Sequence, residues 1–491
     1  MTSNQASRRE FLRRASILSG SVGSAGLPFA LNMATMSAAV AQSAVSDYKA
    51  IVCLFMYGGN DSANMVLPWD DASWQAYSTV RSTAPDPIAL KAPGTPVETS
   101  AAAGSPAALG GVLSIAPKFA ANPENNARKF ALHPSLAEVK TLFDAGRVGI
   151  IANAGPLIQP MTKLEYQKGT KARPPKLFSH NDQQSTWQAL APEGARVGWG
   201  GKFGDLLASN NGSSTFTNIS VQGNAVFMAG NSVFQYQVGN GGATAIGGLT
   251  GSLFGSTAAA TGLRSLITAD NQHLLAKEQA VIVRRSIDAQ AAFQSAFNAS
   301  VVTAPTQYFN PAQRASGNNG LAQQLQTVAR IIGARTALGA KRQVFFVSIG
   351  GFDTHDNQNK AHADLYARLS HAINYFDQTL ETLGVRNNVT LFTASDFGRT
   401  FTSNGDGTDH GWGGHHFVHG GAVKGGDIYG RFPQVGINHD DEVGSGSFLP
   451  GTSVDQIGAT LGKWFGVSDS ELNTVFPNLK NFPKANLGFL G

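Results

Sequence analysis

Residues 344–355 read VFFVSIGGFDTH, and residues 389–400 read VTLFTASDFGRT. Each is a short run of apolar and β-branched residues that ends in glycine or serine and delivers an aspartate, Asp353 or Asp396. Such runs, with little polar alternation, predict strands buried on both faces of a largely parallel sheet. Ligands of open α/β sheets gather where these strands end. A little further on, residues 409–419 read DHGWGGHHFVH, so that seven of the 11 histidines fall between His355 and His419. The span 344–426 therefore reads as a functional site.

Outward from it, residues 48–55 (YKAIVCLF) predict another buried strand, followed by the turn Gly58-Gly59-Asn60-Asp61-Ser62. Ser135 is placed to cap a helix whose Leu136, Val139, Leu142 and Phe143 recur at helical spacing, and 148–154 (VGIIANA) predicts the next strand. This strand, helix, strand order is the signature of an α/β fold. Residues 218–222 and 226–228 read as short strands, 239–262 as a Gly-rich loop or lid, and 263–299 and 321–338 as helices. A last helix covers 454–465. The expected organisation is a single domain over 42–491, with insertions near 81–130 and 223–320.

Composition narrows the function classes. The 491 residues are 42% hydrophobic and 14% charged, with 56 glycines, which describes a globular, loop-rich protein. Arg8, Arg9, Arg13 and Arg14 against Glu10 give residues 1–41 a charge of +3, leaving only +2 of the +5 total for the rest. No basic stripe interleaved with aromatics is present, which argues against a nucleic-acid partner. The single cysteine, Cys53, lies inside an apolar run and reads as a structural thiol. Ser7-Arg8-Arg9-Glu10-Phe11-Leu12, a weakly apolar stretch and Ala39-Val40-Ala41 follow one another as a twin-arginine signal peptide over 1–41 would. The expected location is periplasmic or secreted, with the export machinery as a partner and no stable membrane anchor after cleavage.

Several groups are candidates for chemistry. Asp353 and His355, two apart after Gly350-Gly351, suit a metal that accepts oxygen and nitrogen. Asp396 ends its strand, and Arg399 is a candidate clamp for a phosphate or sulfate. His410, beside Asp409, is the preferred ligand of the His-rich loop, whereas His416 and His419 read as core histidines. Asp61 holds the matching position after the first strand. Ser179-His180-Asn181-Asp182 offers a nucleophile with a base, or simply a helix cap.

Taken in order, these motifs resemble a twin-arginine-exported bacterial family, a domain of unknown function, in the alkaline phosphatase superfamily. The resemblance rests on Gly59-Asn60-Asp61, His133-Pro134-Ser135-Leu136, Ser179-His180, Gly350 to His355, Ser395 to Thr400, and Asp409-His410. It implies an α/β/α sandwich with a mostly parallel sheet and one or two divalent transition-metal ions, Zn, Mn or Fe, at its carboxyl edge. Asp61 and Asp396 would serve one ion; Asp353, His355 and His410 would serve the other. The implied reaction is hydrolysis of a phosphate or sulfate ester, with Ser179 attacking, His180 or Asp182 taking its proton and Arg399 steadying the anion. Two departures stand out: Phe397 replaces the usual histidine after the third aspartate, and the Asp353-x-His355 spacing is short. A non-catalytic envelope-binding protein and a serine esterase using Ser62 are the alternatives.

Overall fold

The computed structural model describes residues 47–249 and 251–491; the export signal read over 1–41 lies outside them. A nine-stranded sheet forms the centre. Its strands are β1 (Lys49–Met56), β2 (Val148–Gly155), β3 (Asn218–Ser220), β4 (Tyr236–Gln237), β5 (Arg342–Ile349), β6 (Val389–Ser395), β7 (Gly414–Gly420), β8 (Ile428–Tyr429) and β9 (Thr452–Ser453). They run in the order β8-β2-β7-β6-β1-β5-β3-β4, with β9 also paired to β2. Only β7 is antiparallel to its neighbours, β6 and β2; the other pairings are parallel.

The helices are α1 (Asp71–Arg81), α2 (Ala137–Asp144), α3 (His180–Ala189), α4 (Trp199–Leu207), α5 (Thr257–Ile267), α6 (Leu274–Ala299), α7 (Gly320–Gly333), α8 (Gln358–Thr382) and α9 (Val454–Phe465). The alternation of β1 shows how they are layered. Ala50, Val52, Leu54 and Met56 join a core with α2, α7 and α8, while Ile51, Cys53 and Phe55 join another with α3, α4 and α9. Side chains alternate faces along a strand, so one apolar run feeds both layers. All seven are at most 1% exposed. Full burial of each larger side chain contributes roughly 1.5–3 kcal/mol. The result is the α/β/α sandwich that the resemblance implies, with the mostly parallel sheet that the buried runs predict. Burial pushes the Cys53 thiol pKa up, in keeping with an inert structural role.

Local differences from the sequence reading have physical causes. Helix α2 starts at Ala137 without a side-chain cap of its own, and Ser135 does not serve it. The Ser370 hydroxyl of α8 instead accepts from the backbone N–H groups of Glu138 and Val139. The single helix expected over 263–299 is divided into α5 and α6, because Asp270 and Asn271 side chains bond backbone N–H groups between them and turn the chain. Residues 226–228 form a 3₁₀ turn instead of a strand. Helix α4 was not expected, since its glycines lower helix propensity. They are needed for packing: a Cβ at Gly201 would lie 1.9 Å from the Ala229 carbonyl oxygen.

Candidate functional site

Strands β1, β5 and β6 lie side by side and end level, with Met56 opposite both Ile349 and Ser395. The loops that follow them meet at one edge of the sheet. Gly58 makes the meeting possible. Its φ is +114°, and a Cβ there would lie 2.3 Å from the Asp353 backbone nitrogen. Its N–H donates to Asp396 Oδ2 (3.1 Å), and its carbonyl accepts from Arg399 Nη1 (2.9 Å).

This edge brings together His180, Asp353 and His410. His180, at the start of α3, points Nδ1 to Asp396 Oδ2 at 2.7 Å. That oxygen also accepts from Gly58 and from Gln184 Nε2 (2.9 Å), so the imidazole is the donor. His410 Nδ1 donates to the Phe178 carbonyl at 2.8 Å, an acceptor that leaves no other tautomer for a neutral ring. When neutral, both rings therefore carry their lone pairs on Nε2. Those atoms lie 3.5 Å and 3.6 Å from the two oxygens of Asp353. Two lone pairs converging on a carboxylate repel one another unless positive charge sits among them. The donor set thus fits a divalent cation.

Neighbouring groups tune these three. Burial pushes the Asp353 carboxyl up, but the Arg399 guanidinium at 2.9 Å and the nearby imidazoles outweigh it and hold it below the usual carboxylate range. The Asp396 bond raises the His180 pKa. Burial lowers that of His410. His355 stands at the half-exposed mouth, its Nε2 3.0 Å from Asp353 Oδ1 and 3.1 Å from His410 Nε2, with Nδ1 3.2 Å from Asp409. Phe397 packs its ring against both His180 and His410, at centroid distances of 4.9 and 4.6 Å.

Other expected residues are placed differently. Asp61 is fully buried and clasped by Arg81 through both oxygens, at 2.5 and 3.0 Å; Gln358 Nε2 adds a third bond at 2.7 Å. It lies outside the His180, Asp353 and His410 group. Asp396 sits behind His180, and its Oδ1 is buried without a partner among the described residues. Arg399 is turned inward: its three nitrogens bond the Thr408 and Gly58 carbonyls and Asp353, so it holds the carboxylate instead of facing solvent as an anion clamp. The Ser179 hydroxyl donates to Asp182 Oδ2 at 2.8 Å, a bond that leads in keeping that carboxyl below its usual range. Ser62 is 3% exposed, and no histidine bonds it among the described residues. On sequence His180 is a candidate base; only its tie to Asp396, 216 residues away, turns its Nε2 toward Asp353.

The sequence model of a family described as "Protein of unknown function (DUF1501)" matches residues 48–473. No match was found among curated proteins. Among solved structures, "Ps i-CgsB" is 8% identical, with 90% of this chain and 78% of that chain covered and a TM-score of 0.35. A Bacteroides thetaiotaomicron protein, titled for the metabolism of multiple glycosaminoglycans, is 9% identical at 87% and 74% coverage, TM-score 0.31. The lipoteichoic acid synthase LtaP from Listeria monocytogenes is 8% identical at 87% and 74% coverage, TM-score 0.31. Likenesses at such scores add nothing to the topology described above.

Proposed function

The chain belongs to the DUF1501 family, and we propose that it is an exported, metal-dependent hydrolase acting on a phosphate or sulfate ester in the cleft beyond β1, β5 and β6. One observation carries the reading: two imidazoles tied at Nδ1 to fixed acceptors leave both Nε2 atoms 3.5 and 3.6 Å from one carboxylate. His180, Asp353 and His410 would hold one divalent ion. Three protein ligands of mixed nitrogen and oxygen suit Zn²⁺, Mn²⁺ or Fe²⁺ and leave room for substrate. A bound ion supplies Lewis acidity, which polarises an ester oxygen and acidifies an attacking hydroxyl.

The chain's own residues do the rest. Arg399 keeps Asp353 ionised and aimed. Phe397 walls one side of the cleft with hydrocarbon. His355, between Asp353 and Asp409 at the mouth, is placed to exchange a proton with the nucleophile or leaving group. Ser179 already donates its proton to Asp182, whose depressed pKa makes a weak base, so water is the better nucleophile. Export by the twin-arginine route rests on Ser7 to Leu12; Arg8→Lys with Arg9→Lys should leave precursor in the cytoplasm. A second reading, a non-catalytic envelope-binding protein, is favoured by Phe397 in place of a histidine.

Elemental mass spectrometry decides between them. The exported wild type should carry about one equivalent of transition metal, lost in Asp353→Ala and His410→Ala, and should cleave aryl phosphates or sulfates. A folded wild type that is metal-free without chelators sinks the hydrolase reading and leaves the binding protein.

A further inference from the structure

Away from the cleft, the β3–β4 edge of the sheet, α5, α6 and residues 244–249 line an open recess of about 1180 Å³. That is larger than the roughly 300–1,000 Å³ of ordinary small-molecule sites. Its walls are mostly apolar, with Val226, Phe234, Ile246, Leu249 and Ile282 among them. Phe234 is 78% exposed and Ile282 48%, so hydrocarbon faces the opening. The charged residues lining it are Arg196, Arg264 and Arg285, and no carboxylate lines it. None of these three arginines makes an ion pair among the described residues.

Unpaired guanidiniums around an apolar recess define the chemistry of an occupant. Arginine forks match phosphate, sulfate and carboxylate groups and leave no proton to lose. Walls that are apolar over most of their area match a hydrocarbon chain, while Asn224, Gln235 and Gln290 add neutral polar groups among them. We propose that this recess binds the monomer of an anionic amphiphile, its chain against Ile246, Leu249 and Ile282 and its head group at Arg196, Arg264 and Arg285. None of these residues belongs to the cleft, so the proposal stands whether or not the cleft holds a metal. The charge complementarity favours an anionic head over a neutral one.

Calorimetric titration of the full mature protein with dodecyl phosphate, kept below its micelle concentration, tests this. Saturable one-to-one binding is expected, with neutral dodecyl maltoside at least about tenfold weaker. The double substitution Arg264→Gln with Arg285→Gln should weaken dodecyl phosphate about tenfold or more. Ile282→Asp should weaken both amphiphiles, with melting temperature and metal content unchanged in each variant. Equal affinity for the neutral and anionic compounds would overturn the proposal, as would variants that bind like wild type. So would protein that sediments with phosphatidylglycerol vesicles yet ignores the monomer, since that describes a membrane surface. Competition by inorganic phosphate alone at equal strength would also count against it, since the chain would then contribute nothing.

Discussion

Two sets of ionisable groups share much of one sequence span. The outer set, His180, Asp353, His355 and His410, keeps ring nitrogens facing a cleft. The inner set, Asp61, His362, His415, His416 and His419, is at most 2% exposed. His419 bonds Asp377 at 2.9 Å, and Arg147 and Arg386 complete that cluster. His415 accepts from the Asn153 N–H and stacks on Phe432, while His416 packs against Trp187. His410 and His415 are five residues apart, yet one ends in a loop at the sheet edge and the other enters β7. Concentrating histidine in sequence does not make a metal site; what separates the sets is whether a ring nitrogen is left facing space shared with other donors.

The largest expected effect breaks the inner set. Asp61→Ala leaves the Arg81 guanidinium buried without its carboxylate and should cost about 3–5 kcal/mol in urea unfolding. Any metal that the wild type carries should stay with the protein that remains folded. Metal lost in step with folded fraction held constant would move Asp61 into the outer set. Asp353→Ala should do the reverse, releasing metal with a smaller loss of stability, because its side chain is half-exposed.

Proton linkage gives the next effect. Burial lowers the His415 and His416 pKa values to about 3 and that of His362 to about 4, from an ordinary 6.5. The unfolded chain binds these protons near pH 6.5 and the folded chain only below about 4, so unfolding takes protons up and stability falls as pH drops through that window. Asp455 acts the other way, since burial pushes its carboxyl up to about 6 and the folded state holds that proton more tightly. Burial also holds His133 well below 6.5, so the buried histidines outnumber Asp455 and stability falls as pH drops between roughly pH 6 and 4, each such histidine contributing about 1.4 kcal/mol per pH unit. His416→Leu should flatten it by about 1.4 kcal/mol per unit, read from urea midpoints in metal-free buffer. An unchanged slope would mean that His416 is already solvated.

The strands were legible because runs such as Ile51 to Phe55 are too apolar to lie anywhere but between two layers. Asp353 and His410, which the structure brings together with His180, stand out in the sequence because each follows a recognisable strand end or glycine loop. Asp61 and Asp396 were also read as ligands, and nothing local separates them from Asp353. What separates them is distant: Arg81 of α1 folds onto Asp61, and α3 carries His180 over Asp396. Arg399 misled for the same reason, since the Thr408 carbonyl that captures it comes from the far side of a loop. Helix α4 and the Ser370 cap depend on tertiary contacts that outweigh propensity.

The sharpest test of the boundary between the sets is therefore Asp396, which belongs to neither. It touches the outer set only through His180 Nδ1. In Asp396→Asn the side chain keeps its shape but offers one oxygen and one amide. If the oxygen faces His180, the ring keeps its tautomer and loses only the nearby charge. If the amide faces it, the ring must move its proton to Nε2 and ceases to be a ligand. Either way metal affinity should fall about 10–100-fold by competitive chelator titration, with stability lowered by about 1–3 kcal/mol through the disturbed Gly58 and Gln184 bonds. A loss far beyond that range, equal to that of His410→Ala, would make Asp396 a ligand in its own right through its unpartnered Oδ1. No loss at all would detach His180 from the ion and leave Asp353 and His410 to hold it with His355.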